Sequence, residues 1–310
     1  MDPRFQSDAP IESQLGTGSR RWRLLFVSLA ILFSLAFCFL TKPAVARAAW
    51  AGFTHIIQLR SQDNGKAGPQ GISDANLALL RPQQQAEFLL EAAVNHSDPA
   101  ASQIMKRADS WRGRLTPTSQ LLGLLNTALN SDDMQVRAAA LESELAVGNL
   151  AKNRETPGEL IDRIQRQPAA RPWALWMLGA LGNRGVEPDR TFATLIKYAH
   201  DPDEKTRYWA VEGLSLFGND QSIQVLLEIL HSDPSGEVRE RAACALAQAG
   251  MLTKQQRRTA VPTLIDYASD SSLDAGTHTL VYRALQDITG ADVAHNSAAW
   301  RDYWAASSSR

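Results

Sequence analysis

Residues 132–148, DDMQVRAAALESELAVG, decide the fold, because three later stretches repeat them in register. These are ARPWALWMLGALG (170–182), EKTRYWAVEGLSLFG (204–218) and GEVRERAACALAQAG (236–250). Each carries an arginine, an alanine three residues later and a glycine eleven later: Arg137, Ala140 and Gly148; Arg171, Ala174 and Gly182; Arg207, Ala210 and Gly218; Arg239, Ala242 and Gly250. Successive arginines are 34, 36 and 32 residues apart. A period in that range marks a solenoid of stacked helical hairpins, since one hairpin cannot bury its apolar face alone.

Each repeated residue type has a mechanical use. The alanine lets the second helix of a pair approach its neighbour, and Leu178, Leu214 and Leu246, seven after the arginines, fill the next layer. The glycine is expected to supply the positive φ that ends the helix. Asp133, Asp203 and Asp233 precede second helices and are expected to cap their amides. Arg137 and Arg207 stand four residues after an aspartate, a spacing that permits an ion pair within the helix. The register also has departures, with Glu144 in the leucine slot and Gln167 and Ser235 in place of the aspartate.

Outside the repeats the pattern stays helical. Apolar residues recur at helical spacing, as in Ile223, Leu226, Leu227 and Leu230, and no segment sustains a strand-like alternation. Gln83 to Asn95 and Pro99 to Trp111 read as a degenerate helix pair, and Ala260 to Gly290 as a fifth, looser repeat. Near the end, Asn296 is placed to cap a last helix whose Trp300 and Trp304 would cover the open end of the stack.

The register resembles the HEAT-repeat family, and most of all the short bacterial HEAT-like repeats named after phycobilisome lyases. The resemblance covers residues 118–290; its motif D-x-x-V-R-x-x-A is complete once, from Asp133 to Ala140. It implies an all-α fold, an α-solenoid of about five to six antiparallel helix pairs; an uncharged run near the start of the chain adds one preceding N-terminal transmembrane or signal helix. The expected organisation is a disordered tail (1–19), a transmembrane signal-anchor or signal peptide (20–42), a flexible tether (43–72), the degenerate pair (73–117), the repeats (118–290) and a capping helix with its tail (291–310).

Leu24 to Leu40, LLFVSLAILFSLAFCFL, has no charge and follows Arg20, Arg21 and Arg23. As a helix it would be roughly 25 Å long, slightly under the roughly 30 Å hydrocarbon core. Two readings compete: an anchor that stays, or a signal cut after Ala44-Val45-Ala46. The length of the run and of the leader before it favours the anchor. The arginines then leave the N-terminus cytoplasmic and the repeats periplasmic or otherwise extracytoplasmic, with secretion as the outcome if the signal is cut.

Composition narrows the function. At 310 residues and 44% hydrophobic the chain can bury a core, and a net charge of −1 argues against a nucleic-acid partner. Cys38 and Cys244, far apart, provide no disulfide framework or cysteine metal cage. No histidine among the six is followed by glutamate, the ligand pairing of the di-iron hydroxylases related to these repeats, and no phosphate loop, nucleophile elbow or zinc motif occurs. No cofactor and no metal are expected, and His200 and His231 are read as helix C-terminal residues.

What remains is surface. Second helices usually line the concave side of HEAT-like stacks, so the resemblance places Trp173, Trp176, Tyr208, Trp209, Glu212 and Arg241 on a stripe suited to a protein or peptide partner. Plain packing between repeats is the other use of those rings. The expected function is a non-catalytic, membrane-tethered scaffold; the alternative is an enzyme or chromophore-handling factor of the bilin-lyase kind.

Overall fold

The computed structural model describes residues 72–308. The expected tail, apolar segment and nearly all of the tether lie outside them. Among the described residues there are fifteen α-helices, one 3₁₀ turn at Pro168–Ala170 and no strand. None of these helices is long and apolar enough to cross a membrane.

After a short α1 (Asp74–Ala78) the helices come in pairs: α2 (Pro82–Val94) with α3 (Ala100–Trp111), α4 (Ser119–Leu129) with α5 (Met134–Val147), and α6 (Thr156–Arg166) with α7 (Arg171–Asn183). Then follow α8 (Pro188–Ala199) with α9 (Glu204–Phe217), and α10 (Asp220–Ser232) with α11 (Gly236–Ala247). The sixth pair divides its first helix into α12 (Lys254–Arg258) and α13 (Val261–Tyr267) before α14 (Ala275–Thr289), and α15 (Ser297–Ser308) follows. Local chemistry starts these helices: Thr118, Asp133, Asp203, Asn219 and Asp274 each accept a backbone N–H as N-cap, and proline opens α2, α7 and α8.

The second helices stack in chain order, α3 on α5, α5 on α7, α7 on α9, α9 on α11 and α11 on α14. Ala140, Ala174, Ala210, Ala242, Leu178, Leu214 and Leu246 are all buried, as the register requires, within one hydrophobic core from Leu77 to Trp300. The closest approach is between α7 and α9. A Cβ on Gly179 would stand 2.1 Å from the Gly213 carbonyl oxygen, and one on Gly213 would stand 2.6 Å from that of Leu175. At the far end Trp300 is fully buried, Trp304 packs partly buried under the Arg258 guanidinium 5.0 Å from its ring, and Asn296 accepts from the Ala298 amide at 2.9 Å.

Three expectations are corrected. Asp233 does not cap α11, because Ser235 does so at Val238; Asp233 instead holds Arg207 with both carboxylate oxygens, at 2.8 and 3.0 Å. The arginines therefore pair between repeats rather than within a helix: Arg239 likewise reaches Asp274 of the next repeat at 2.9 Å. The flat guanidinium fork matches a carboxylate lying across the seam, a geometry that a partner one turn back on the same helix does not offer. Finally, Gly148 and Gly182 do not adopt positive φ; Asn149 and Gly185 do. Gly182 is needed for space, since a Cβ there would lie 2.2 Å from the Phe217 ring.

Candidate functional site

Arg137, at the start of α5, spans the stack. Its guanidinium donates to the carbonyls of Gln248 at 2.8 Å and Gly250 at 2.7 Å, 111 and 113 residues away, and to Ser131. The second helix pair thus meets the end of the fifth. Arg257, from α12, meets the same chain end from the other side. It donates to Ala245 (2.8 Å), Leu246 (2.9 Å), Gln248 (3.2 Å) and Ala249 (2.8 Å). These are the carbonyls that the end of α11 leaves without helical donors, and two cations are the right sign for a helix C-terminus. Burial, and then the Arg137 guanidinium, bring the Arg257 pKa down to about 10, still a cation at neutral pH. Gly250 is pressed so closely on Ser215 that a Cβ would meet its hydroxyl at 2.1 Å, which fixes the loop that Arg137 grips.

Around this junction opens a cleft of about 970 Å³, bounded by the start of α5, the end of α11, α12 and the end of α14. Met134, Leu252 and Ile288 supply an apolar lining, and the half-buried thiol of Cys244 lies there too.

Arg241, on the wall of the cleft, leads to the residues expected to form the stripe. Its Nε stands 3.1 Å from Glu212 Oε1, on the neighbouring α9. Burial pushes the Glu212 carboxyl up, opposed by Arg241 and by the Tyr208 hydroxyl. Burial and then Glu212 in turn raise the Tyr208 phenol. Tyr208 meets Trp209 edge to face at 5.7 Å, and Trp209 meets Trp176 of α7 in the same manner at 6.3 Å. Five of the six residues are thus brought together in one chain of contacts. Trp173 is set apart, beside Gly148 and with the Arg163 guanidinium 4.8 Å from its ring. All four rings are partly buried against the core, so each both packs and shows an edge.

The histidines sit where helix ends place them: His200 caps α8 and His231 lies in the last turn of α10. His231 Nε2 is 2.9 Å from Asp270 and its Nδ1 2.9 Å from the Ser232 hydroxyl; the bond to His231, and then those from Ser272, hold the Asp270 carboxyl well below the usual carboxylate range. The three residue types are those of a hydrolytic triad, but hydroxyl and imidazole come from adjacent residues at an exposed helix end, without the separately positioned nucleophile and oxyanion donors such chemistry requires. Among the described residues no group of three His, Cys, Asp or Glu could hold a metal ion.

Sequence reasoning missed the Arg137–Arg257 junction. Arg257 lies outside the repeat register, and only the run Arg257-Arg258 beside a short amphipathic segment marked it.

Residues 157–247 match the family model described as HEAT repeats. That segment runs from α6 to the end of α11, so the match covers the middle of the stack. No curated protein matches the chain. Among solved structures, an engineered protein is 17% identical, covering 66% of this chain and 96% of its own, with a TM-score of 0.30. A designed armadillo repeat protein in complex with the peptide (KR)4 is 17% identical, covering 67% and 99%, at 0.30. A second designed armadillo repeat protein is 18% identical, covering 72% and 97%, at 0.28.

Proposed function

We propose that the chain is a non-catalytic scaffold that holds a protein or peptide partner on the concave face of its repeats, tethered to a membrane through Leu24 to Leu40. The single observation that carries this reading is the continuous run Trp176, Trp209, Tyr208, Glu212 and Arg241 across three second helices. Rigid, half-buried aromatic rings beside a partly desolvated ion pair are what protein interfaces use as anchors, because they bury large area at little entropic cost. The uncharged run and the arginines before it support the tether and an orientation with the repeats outside the cytoplasm.

Crosslinking in the native membrane, with wild type and a Trp176→Ala/Trp209→Ala variant side by side, tests the surface. Loss of the crosslinked partner with an unchanged melting temperature is expected. A melt that collapses makes the rings structural, and capture that persists removes them from the interface. A C-terminal reporter active only outside the cytoplasm should be active; silence would reverse the orientation.

A further inference from the structure

Resting on the scaffold reading above, we infer that the cleft between the start of α5 and the end of α11 binds an acidic peptide segment of the partner. Five cations line or edge this cleft, Arg137, Arg241, Lys254, Arg257 and Arg258, against the carboxylates of Asp132 and Asp287. One charge on each side is already paired, Asp287 with Arg283 at 4.0 Å and Arg241 with Glu212 at 3.1 Å, which leaves four cations against Asp132. The chain as a whole carries a net charge of −1, so this is a local excess of positive charge in a nearly neutral protein.

The excess sits where it is least screened. Arg137 and Arg257 are 8% and 5% exposed, and every hydrogen bond of either guanidinium goes to a neutral carbonyl. A carbonyl satisfies the donor but not the charge, and two buried guanidinium groups that repel one another leave a positive potential in a concave, low-dielectric space. Burial and Arg137 together lower the Arg257 pKa, the direction that uncompensated charge produces. Asp132 is the carboxylate that acts on Arg137, and a second one entering the cleft would add to that counter-charge without displacing those bonds.

Shape and lining point to a peptide. At about 970 Å³ the cleft is at the upper end of ligand-site sizes, too large for one small anion. Met134, Leu252 and Ile288 would take apolar side chains between the acidic ones. No aromatic ring is among the residues lining it, so it offers no platform for stacking a base. Arg241 joins the cleft to Glu212 and the aromatic run, so one extended segment can lie along both.

The probe is a short labelled peptide alternating Glu and Leu, with a Lys/Leu counterpart, added to the full-length chain and followed by fluorescence anisotropy. The acidic peptide is expected to bind, weakening as salt rises, and the basic one not. Lys254→Glu/Arg258→Glu, both at exposed positions, should weaken acidic-peptide binding about tenfold or more. Because Arg258 also stacks on Trp304, Lys254→Glu alone serves as the readout if the double variant melts lower. Equal binding of the two peptides, binding indifferent to these charge reversals, or displacement of the peptide by a single-stranded oligonucleotide would each overturn the inference. If native-membrane capture still depends on Trp176 and Trp209 but not on Lys254 and Arg258, the scaffold stands and the acidic site falls. Capture indifferent to all four removes the scaffold reading itself.

Discussion

The α7–α9 crossing and the α5–α11 junction solve the same problem, bringing two second helices together, by opposite means. At the crossing, Gly179 and Gly213 remove every side-chain atom from the line of approach and backbone meets backbone. At the junction, two long cations bridge a gap and satisfy the carbonyls at the end of α11. The first is a contact between successive repeats, packed tightly and indifferent to salt. The second joins repeats three apart and leaves a polar cleft beside it. Adjacent repeats can be fitted by shape because the register repeats; distant ones meet at whatever separation the accumulated curvature leaves, and only long, adaptable side chains span it.

The comparison is broken most severely at the glycines. Gly179→Ala puts a methyl 2.1 Å from the Gly213 carbonyl, and overpacking of this kind should cost about 3 kcal/mol in a denaturant melt. A loss under about 1 kcal/mol would mean that the crossing has slack. At the junction, Arg257→Met keeps the apolar stem but strips the Ala245, Leu246 and Ala249 carbonyls of their donor, while Gln248 keeps the one from Arg137. A loss of about 2 kcal/mol is expected, since buried acceptors left unpaired cost more than a hydrogen bond gains. An unchanged melt would make the junction incidental.

Gly123 sharpens the contrast from the other side. It lies in the exposed face of α4 with nothing within 4 Å of an added Cβ, so Gly123→Ala should stabilise by about 0.8 kcal/mol through helix propensity alone. Destabilisation would show that the helix surface is not as open as its geometry. The smallest effect concerns the ionic link from α10 to the α13–α14 turn. The Asp270 carboxyl is depressed in the folded state, first by the His231 bond and then by Ser272. Its contribution is therefore complete above the unfolded value of roughly 3.9 and disappears as pH falls through the depressed folded one. Stability of wild type relative to Asp270→Asn should fall between about pH 5 and pH 3; parallel curves would refute the link.

These two regions also mark what a sequence discloses. Spacing alone disclosed the stack: the arginine, alanine and leucine positions fall at buried places because neighbouring repeats have the same geometry, so a local period reports a contact made by every repeat. The aromatic residues were found for the same reason, all standing at second or fifth positions after a repeat arginine or next to one. Partners that depend on the curvature were not disclosed. Nothing near Arg137 announces Gln248, and the aspartate four residues before it suggested a pairing that the structure does not make. Asp233 was misassigned for a related reason, since its role as cap or as counter-ion depends on where the arginine of the preceding repeat arrives. One signal was overlooked: Gly179 and Gly213, glycines inside otherwise strong helices, mark close approach.

Arg137 changes how the array should come apart. An open row of hairpins unzips from either end, each unit lost independently of those beyond it. A fastening that bridges 111 residues turns the middle of the row into a loop, and a loop cannot be peeled. Amide exchange across α5 to α11 should accordingly report a single cooperative opening in wild type, and a graded, end-inward one once Arg137→Met has cut it.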